Sequence, residues 1–134
     1  MKISLSALAL GLAFAFGAPA MASNTGTVYQ AGSDNDAAIT QTYNDYALSS
    51  IDQRGSDNTA KSDQHDTYAY TKSTIGQAGS DNFAKVDQHD GGNMVSYVSQ
   101  AGGCNDARVT QTGWNQTASV IQAGWGNTAK VTQH

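Results

Sequence analysis

The sequence predicts an all-β fold. It is a β-solenoid of five strand–turn–strand repeats, whose strands form two facing parallel sheets in a cross-β arrangement. Three observations predict it. A phrase that begins and ends in glutamine recurs five times, apolar and polar residues alternate with period two on both sides of a fixed turn, and all length variation falls in one loop per repeat.

The phrase reads "QAGSDNDAAITQ" from Gln30, "QRGSDNTAKSDQ" from Gln53 and "QAGSDNFAKVDQ" from Gln77, with looser copies "QAGGCNDARVTQ" from Gln100 and "QAGWGNTAKVTQ" from Gln122. With the first glutamine of each copy as position zero, +2 is glycine (Gly32, Gly55, Gly79, Gly102, Gly124) and +5 is asparagine (Asn35, Asn58, Asn82, Asn105, Asn127). Position +7 is alanine, +9 is Ile39, Ser62, Val86, Val109 and Val131, and +11 is again glutamine (Gln41, Gln64, Gln88, Gln111, Gln133). Upstream, −2 is Val or Ile and −4 is small: Gly26, Ser49, Ser73, Ser96, Ala118.

The first strand therefore turns −4, −2 and 0 inward, and the second turns +5, +7, +9 and +11 inward. Parity breaks at the intervening turn, where glycine supplies the backbone angles. Outward positions on the second strand are polar or charged, as in Lys61 and Asp63 or Lys85 and Asp87. Copies begin 23, 24, 23 and 22 residues apart, so the outer turns ("TYNDY", "HDTYAY", "HDGGN", "TGWN") absorb every insertion. The repeats span 24–41, 47–64, 71–88, 94–111 and 116–133. Stacked in register, the glutamines and asparagines are expected to form amide ladders beside dry Val/Ile and Ala columns.

Residues 1–22, "MKISLSALALGLAFAFGAPAMA", have a charged start at Lys2, a short apolar run and a small-residue site before Ser23. That is the pattern of a secretory signal peptide, too short to span a bilayer. The remaining 112 residues carry a net charge of −5 and no glutamate, which argues against a nucleic-acid partner. Leu, Ile, Val and Phe make up only 13 of them, well under the roughly 20% of an ordinary globular core. Order must then come from the stacked repeat. No atypical capping repeat is visible at either end, so both end rungs are expected to expose strand edges on which another molecule docks.

The pattern [Val/Ile]-x-Gln-x-Gly-x-x-Asn-x-Ala-x-[Val/Ile]-x-Gln resembles the curlin repeat of curli fibre subunits, over nearly all of residues 24–134. The resemblance implies an extracellular, amyloid-like fibre on the cell surface, serving biofilm matrix, surface adhesion and cell aggregation. It implies self-association, a companion curlin subunit, export through the outer-membrane curli secretion pore, and surface or matrix ligands. Position −6 holds Asn24, Ala47, Thr71, Met94 and Gln116, where the major subunit usually has serine. Serine falls at −4 in three copies, closer to minor-subunit repeats, and the growing and nucleating roles both stay open.

Asp34, Asp57 and Asp81 share position +4, and their stacked carboxylates are a candidate assembly brake, against the plainer reading of a solvated turn. His65, His89 and His134 follow the +11 glutamine, with Asp66 and Asp90 adjacent to the first two. Stacked in register, they are an alternative transition-metal holder, but turn residues are the expected reading there, and no metal or cofactor site is assigned. Cys104, the only cysteine, cannot close an internal disulfide. No nucleophile–base spacing or phosphate loop points to an enzyme. The rival class is a monomeric secreted β-solenoid that binds polysaccharide or ice. Its regular hydroxyl array is interrupted at +10, which runs Thr40, Asp63, Asp87, Thr110, Thr132.

Overall fold

The computed structural model describes residues 23–134, and the signal-peptide segment 1–22 lies outside the described residues. Ten strands follow in order: β1 (Thr25–Ser33), β2 (Asp36–Thr42), β3 (Tyr46–Ser56), β4 (Thr59–Thr67), β5 (Tyr70–Ser80), β6 (Phe83–Gly92), β7 (Met94–Gly103), β8 (Asp106–Trp114), β9 (Thr117–Trp125) and β10 (Thr128–Gln133). Odd strands form one sheet in the order β1-β3-β5-β7-β9, and even strands form the other in the order β10-β8-β6-β4-β2. Every pairing is parallel. Each odd–even pair is one rung of a β-solenoid, and five rungs at about 4.8 Å per strand make a slab roughly 24 Å tall.

Register follows the repeat. Gln30 aligns with Gln53, Gln77, Gln100 and Gln122 through the first sheet. Gln41 aligns with Gln64, Gln88, Gln111 and Gln133 through the second. A one-residue slip would turn every inward side chain to solvent, so the inner pattern itself enforces this register.

The core is a single dry layer. Ile51, Ile75, Val98 and Val120 from the first sheet pack against Ala60, Ala84, Val86, Ala107 and Val109 from the second. Val28, Ala37, Ile39, Ala129 and Val131 are only partly buried, because they belong to the two end rungs. The buried column continues one pair further than the sequence reading placed it: at −6, Ala47, Thr71 and Met94 are fully buried.

Two bends make each inner turn. The +2 glycines have φ between 101° and 117°, a region closed to other residues. They also stack backbone to backbone, so a Cβ on Gly79 would run into the carbonyl of Gly102. The second bend is at +4, where Asp34, Asp57, Asp81, Cys104 and Gly126 are all left-handed. Aspartate tolerates that conformation better than most residues, which gives the column a backbone reason. In the outer turns a left-handed residue recurs at +13 (Tyr43, Asp66, Asp90 and Gly113), and Asn93 and Asn115 are left-handed as well. The fourth outer turn is shorter, and the β6–β8 ladder takes up the difference as a register shift between His89 and Gly92.

Candidate functional site

The inward glutamines each do two things. In the first column the Nε2 of Gln30 donates to Oε1 of Gln53 at 2.9 Å, and Gln53 to Gln77, Gln77 to Gln100 and Gln100 to Gln122 at 2.8–2.9 Å. In the second column Gln41 donates to Gln64, Gln64 to Gln88, Gln88 to Gln111 and Gln111 to Gln133, at 2.7–2.9 Å. The same amides reach across the core to backbone carbonyls of the facing sheet. Gln77 donates to the Thr59 carbonyl at 3.0 Å and Gln88 to the Lys72 carbonyl at 3.2 Å. Each glutamine thus ties rung to rung and sheet to sheet. Burying so many amides is tolerable because their donors are paired.

The asparagine column is built the same way but runs in the opposite direction. Asn58 Nδ2 donates to Asn35 Oδ1, Asn82 to Asn58, Asn105 to Asn82 and Asn127 to Asn105, at 2.9–3.0 Å. Each accepting Oδ1 also takes the backbone N–H of the next asparagine, as Asn35 does from Asn58 at 3.2 Å. Backbone groups cannot flip. The backbone carbonyls bonded by the glutamines and the backbone N–H groups bonded by the asparagines therefore fix which amide atom is which.

The ladders end in complementary sets of groups. On the repeat-five face, Gln122 and Gln133 spend one Nε2 hydrogen each on a carbonyl of the chain, at Asp106 and Thr117. Among the described residues, their Nε2 has no glutamine acceptor beyond it, and Asn127 Oδ1 accepts nothing. On the repeat-one face, Gln30 and Gln41 donate forward, and no donor among the described residues reaches their Oε1. The outer edges of β1, β2, β9 and β10 are likewise unpaired there.

The turn glycines and Asp34, Asp57 and Asp81 line the inner-turn edge of the slab. Outside, Arg54 and Arg108 each hold the carboxylate two residues earlier, Asp52 and Asp106, at 3.0–3.1 Å. That hydrogen bond, with the attraction of the same carboxylate, holds both guanidinium groups above their ordinary range. His65 and His89 stack face to face at 4.9 Å. His89 meets the adjacent Asp90, whereas His65 faces Asp63, two residues back, rather than Asp66.

Sequence reading missed a polar pin in the first outer turns. Asn44 is buried, donates to the Gln64 carbonyl at 2.8 Å, and accepts from both the N–H and the hydroxyl of buried Thr67. No repeated residue marks it, so no periodic signal was available to find it.

These features define a class: a parallel β-solenoid of repeated rungs, laddered by amides and, among the described residues, open at both ends. The family profile for the curlin associated repeat matches residues 50–89 and 104–134, and the chain belongs to that family. The family is one of structural fibre subunits rather than enzymes. A search of curated proteins found no match.

Proposed function

We propose that this chain is a secreted subunit that stacks end to end into curli-type extracellular amyloid fibres, serving biofilm matrix, adhesion and cell aggregation. The companion subunit, the outer-membrane export pore and surface ligands belong to the same reading. The observation that carries it is the pair of end faces. Donors at Gln122 and Gln133 on one face match acceptors at Gln30 and Gln41 on the other, and Val28, Ala37 and Ile39 match Val120, Ala129 and Val131 in the same columns. A second copy docked in register continues all three ladders and buries both half-open rungs. Such a head-to-tail contact does not close, so it propagates as a filament.

The test is to dilute residues 23–134 from denaturant, follow thioflavin fluorescence and record fibre diffraction. Self-driven fibres with reflections near 4.7 Å and about 10 Å are expected. A long lag abolished by preformed seeds assigns the growing role, and rapid unseeded assembly assigns the nucleating one. A folded chain that stays monomeric overturns the reading and leaves the solenoid as a binding module.

A further inference from the structure

Stacking brings together three side chains that are dispersed in the sequence. On the outer face of the second sheet, position +10 carries Asp63 and Asp87, and position +12 carries His65 and His89, in register on β4 and β6. Period two puts Asp63 and His65 on the same face of one strand, with Asp87 beside Asp63 on the next. One ligand atom from each of Asp63, His65 and Asp87 lies within 4.8 Å of the other two. We propose that Asp63, His65 and Asp87 form a site for a divalent transition-metal ion, one per chain, bridging repeats two and three.

The unmet needs of these groups support the assignment. Two carboxylates directly opposite on neighbouring strands are destabilising unless a cation answers them. Lys85 answers only part, with its Nζ 3.4 Å from Asp87 Oδ2. The other oxygen, Asp87 Oδ1, is shielded from solvent and has no hydrogen-bond partner. His65 Nδ1 stands 3.5 Å from Asp63 Oδ1, beyond a good hydrogen bond.

His89 is already committed. Its Nδ1 is 3.0 Å from Asp90 and its Nε2 is 3.3 Å from the Thr112 hydroxyl. Its ring lies nearly parallel to that of His65, at 6°, and so orients the ligand without being one.

One imidazole with two carboxylates suits zinc, copper or nickel, whereas calcium and magnesium take oxygen alone. Metal–ligand bonds of about 2.0–2.2 Å require the three donors to draw together slightly, by side-chain rotation at a half-exposed surface. Water completes the shell. The other copies carry threonine at +10, so the triad is complete only here. Because two repeats contribute ligands, the ion binds the stacked rungs and not the unfolded chain, and it clamps the second rung to the third.

Zinc chloride titrated into the folded full chain, read by calorimetry, tests this whether or not the chain polymerises. The expected result is one zinc per chain, weakened at least about tenfold in His65→Gln and in Asp87→Asn. Binding is expected to be retained in His89→Gln, strengthened in Lys85→Gln, and undisturbed by calcium. Circular dichroism confirms that each variant keeps its strands, and His65→Gln, at a half-exposed position, carries the test if Asp87→Asn unfolds. Zinc held equally by His65→Gln, lost equally in His89→Gln, or not bound by the parent chain overturns the site.

Discussion

Ser62 sits at +9, where the other four copies place Ile39, Val86, Val109 and Val131. It is buried between Ile39 and Val86, and its hydroxyl has no partner. A buried hydroxyl without a hydrogen bond costs free energy, and the missing methyl groups leave the apolar column interrupted. Ser62→Val is therefore expected to stabilise the fold by about 1–2 kcal/mol. The midpoint of denaturant dissolution, compared with the parent chain, measures it, and an unchanged or lower midpoint counts against the packing argument. The inward role of this position was legible because its neighbours in the repeat are apolar. The −6 column was not. It holds Asn24, Ala47, Thr71, Met94 and Gln116, residues with no common chemistry, yet all but the exposed Asn24 are buried because the sheet runs one residue pair further. Period-two reasoning finds a buried face only where the residues on it agree in character.

The inner turn is the element in which backbone and charge arguments compete. Asp34, Asp57 and Asp81 adopt φ of 54–57°, and the same position accepts Cys104 and Gly126. Left-handed geometry accounts for aspartate here without any role in assembly, and asparagine satisfies that geometry equally well. Replacing all three by asparagine consequently removes the charge and keeps the turn. If the stacked carboxylates slow assembly, the triple variant is expected to shorten the fibrillation lag severalfold at neutral pH and to leave fibre stability nearly unchanged. An unchanged lag reduces the column to a turn requirement. The strands on either side were legible from alternation, and the turn from its glycine. The outer turns were less so, because their left-handed residues are tyrosine, aspartate, asparagine or glycine in different copies. The partner of His65 was not legible for a related reason: Asp66 is its neighbour in sequence, but on a strand the side chain that shares a face is two residues away, and Asp87 comes from the next rung.

For the whole molecule, the direction of the ladders decides how copies meet. Parallel, in-register addition to β9 and β10 presents Gln30 and Gln41 of the incoming copy to Gln122 and Gln133, acceptor to donor. Two repeat-one faces brought together would oppose acceptor to acceptor, with backbone partners preventing the amides from turning over. The proposed stacking is thus head to tail, and a lysine placed on either face is expected to block that face alone. Val131→Lys spoils the repeat-five face and Val28→Lys the repeat-one face, since both residues are half-buried members of end rungs. Neither variant is expected to polymerise, and each alone should sediment as a monomer, because its one intact face has no partner among its own kind. An equimolar mixture behaves differently: the intact repeat-five face of Val28→Lys receives the intact repeat-one face of Val131→Lys, and growth stops at a heterodimer. Sedimentation velocity separates the cases. A Val131→Lys sample that dimerises alone shows face-to-face pairing through repeat one and overturns the polarity. A mixture that stays monomeric shows that the end faces do not recognise one another at all.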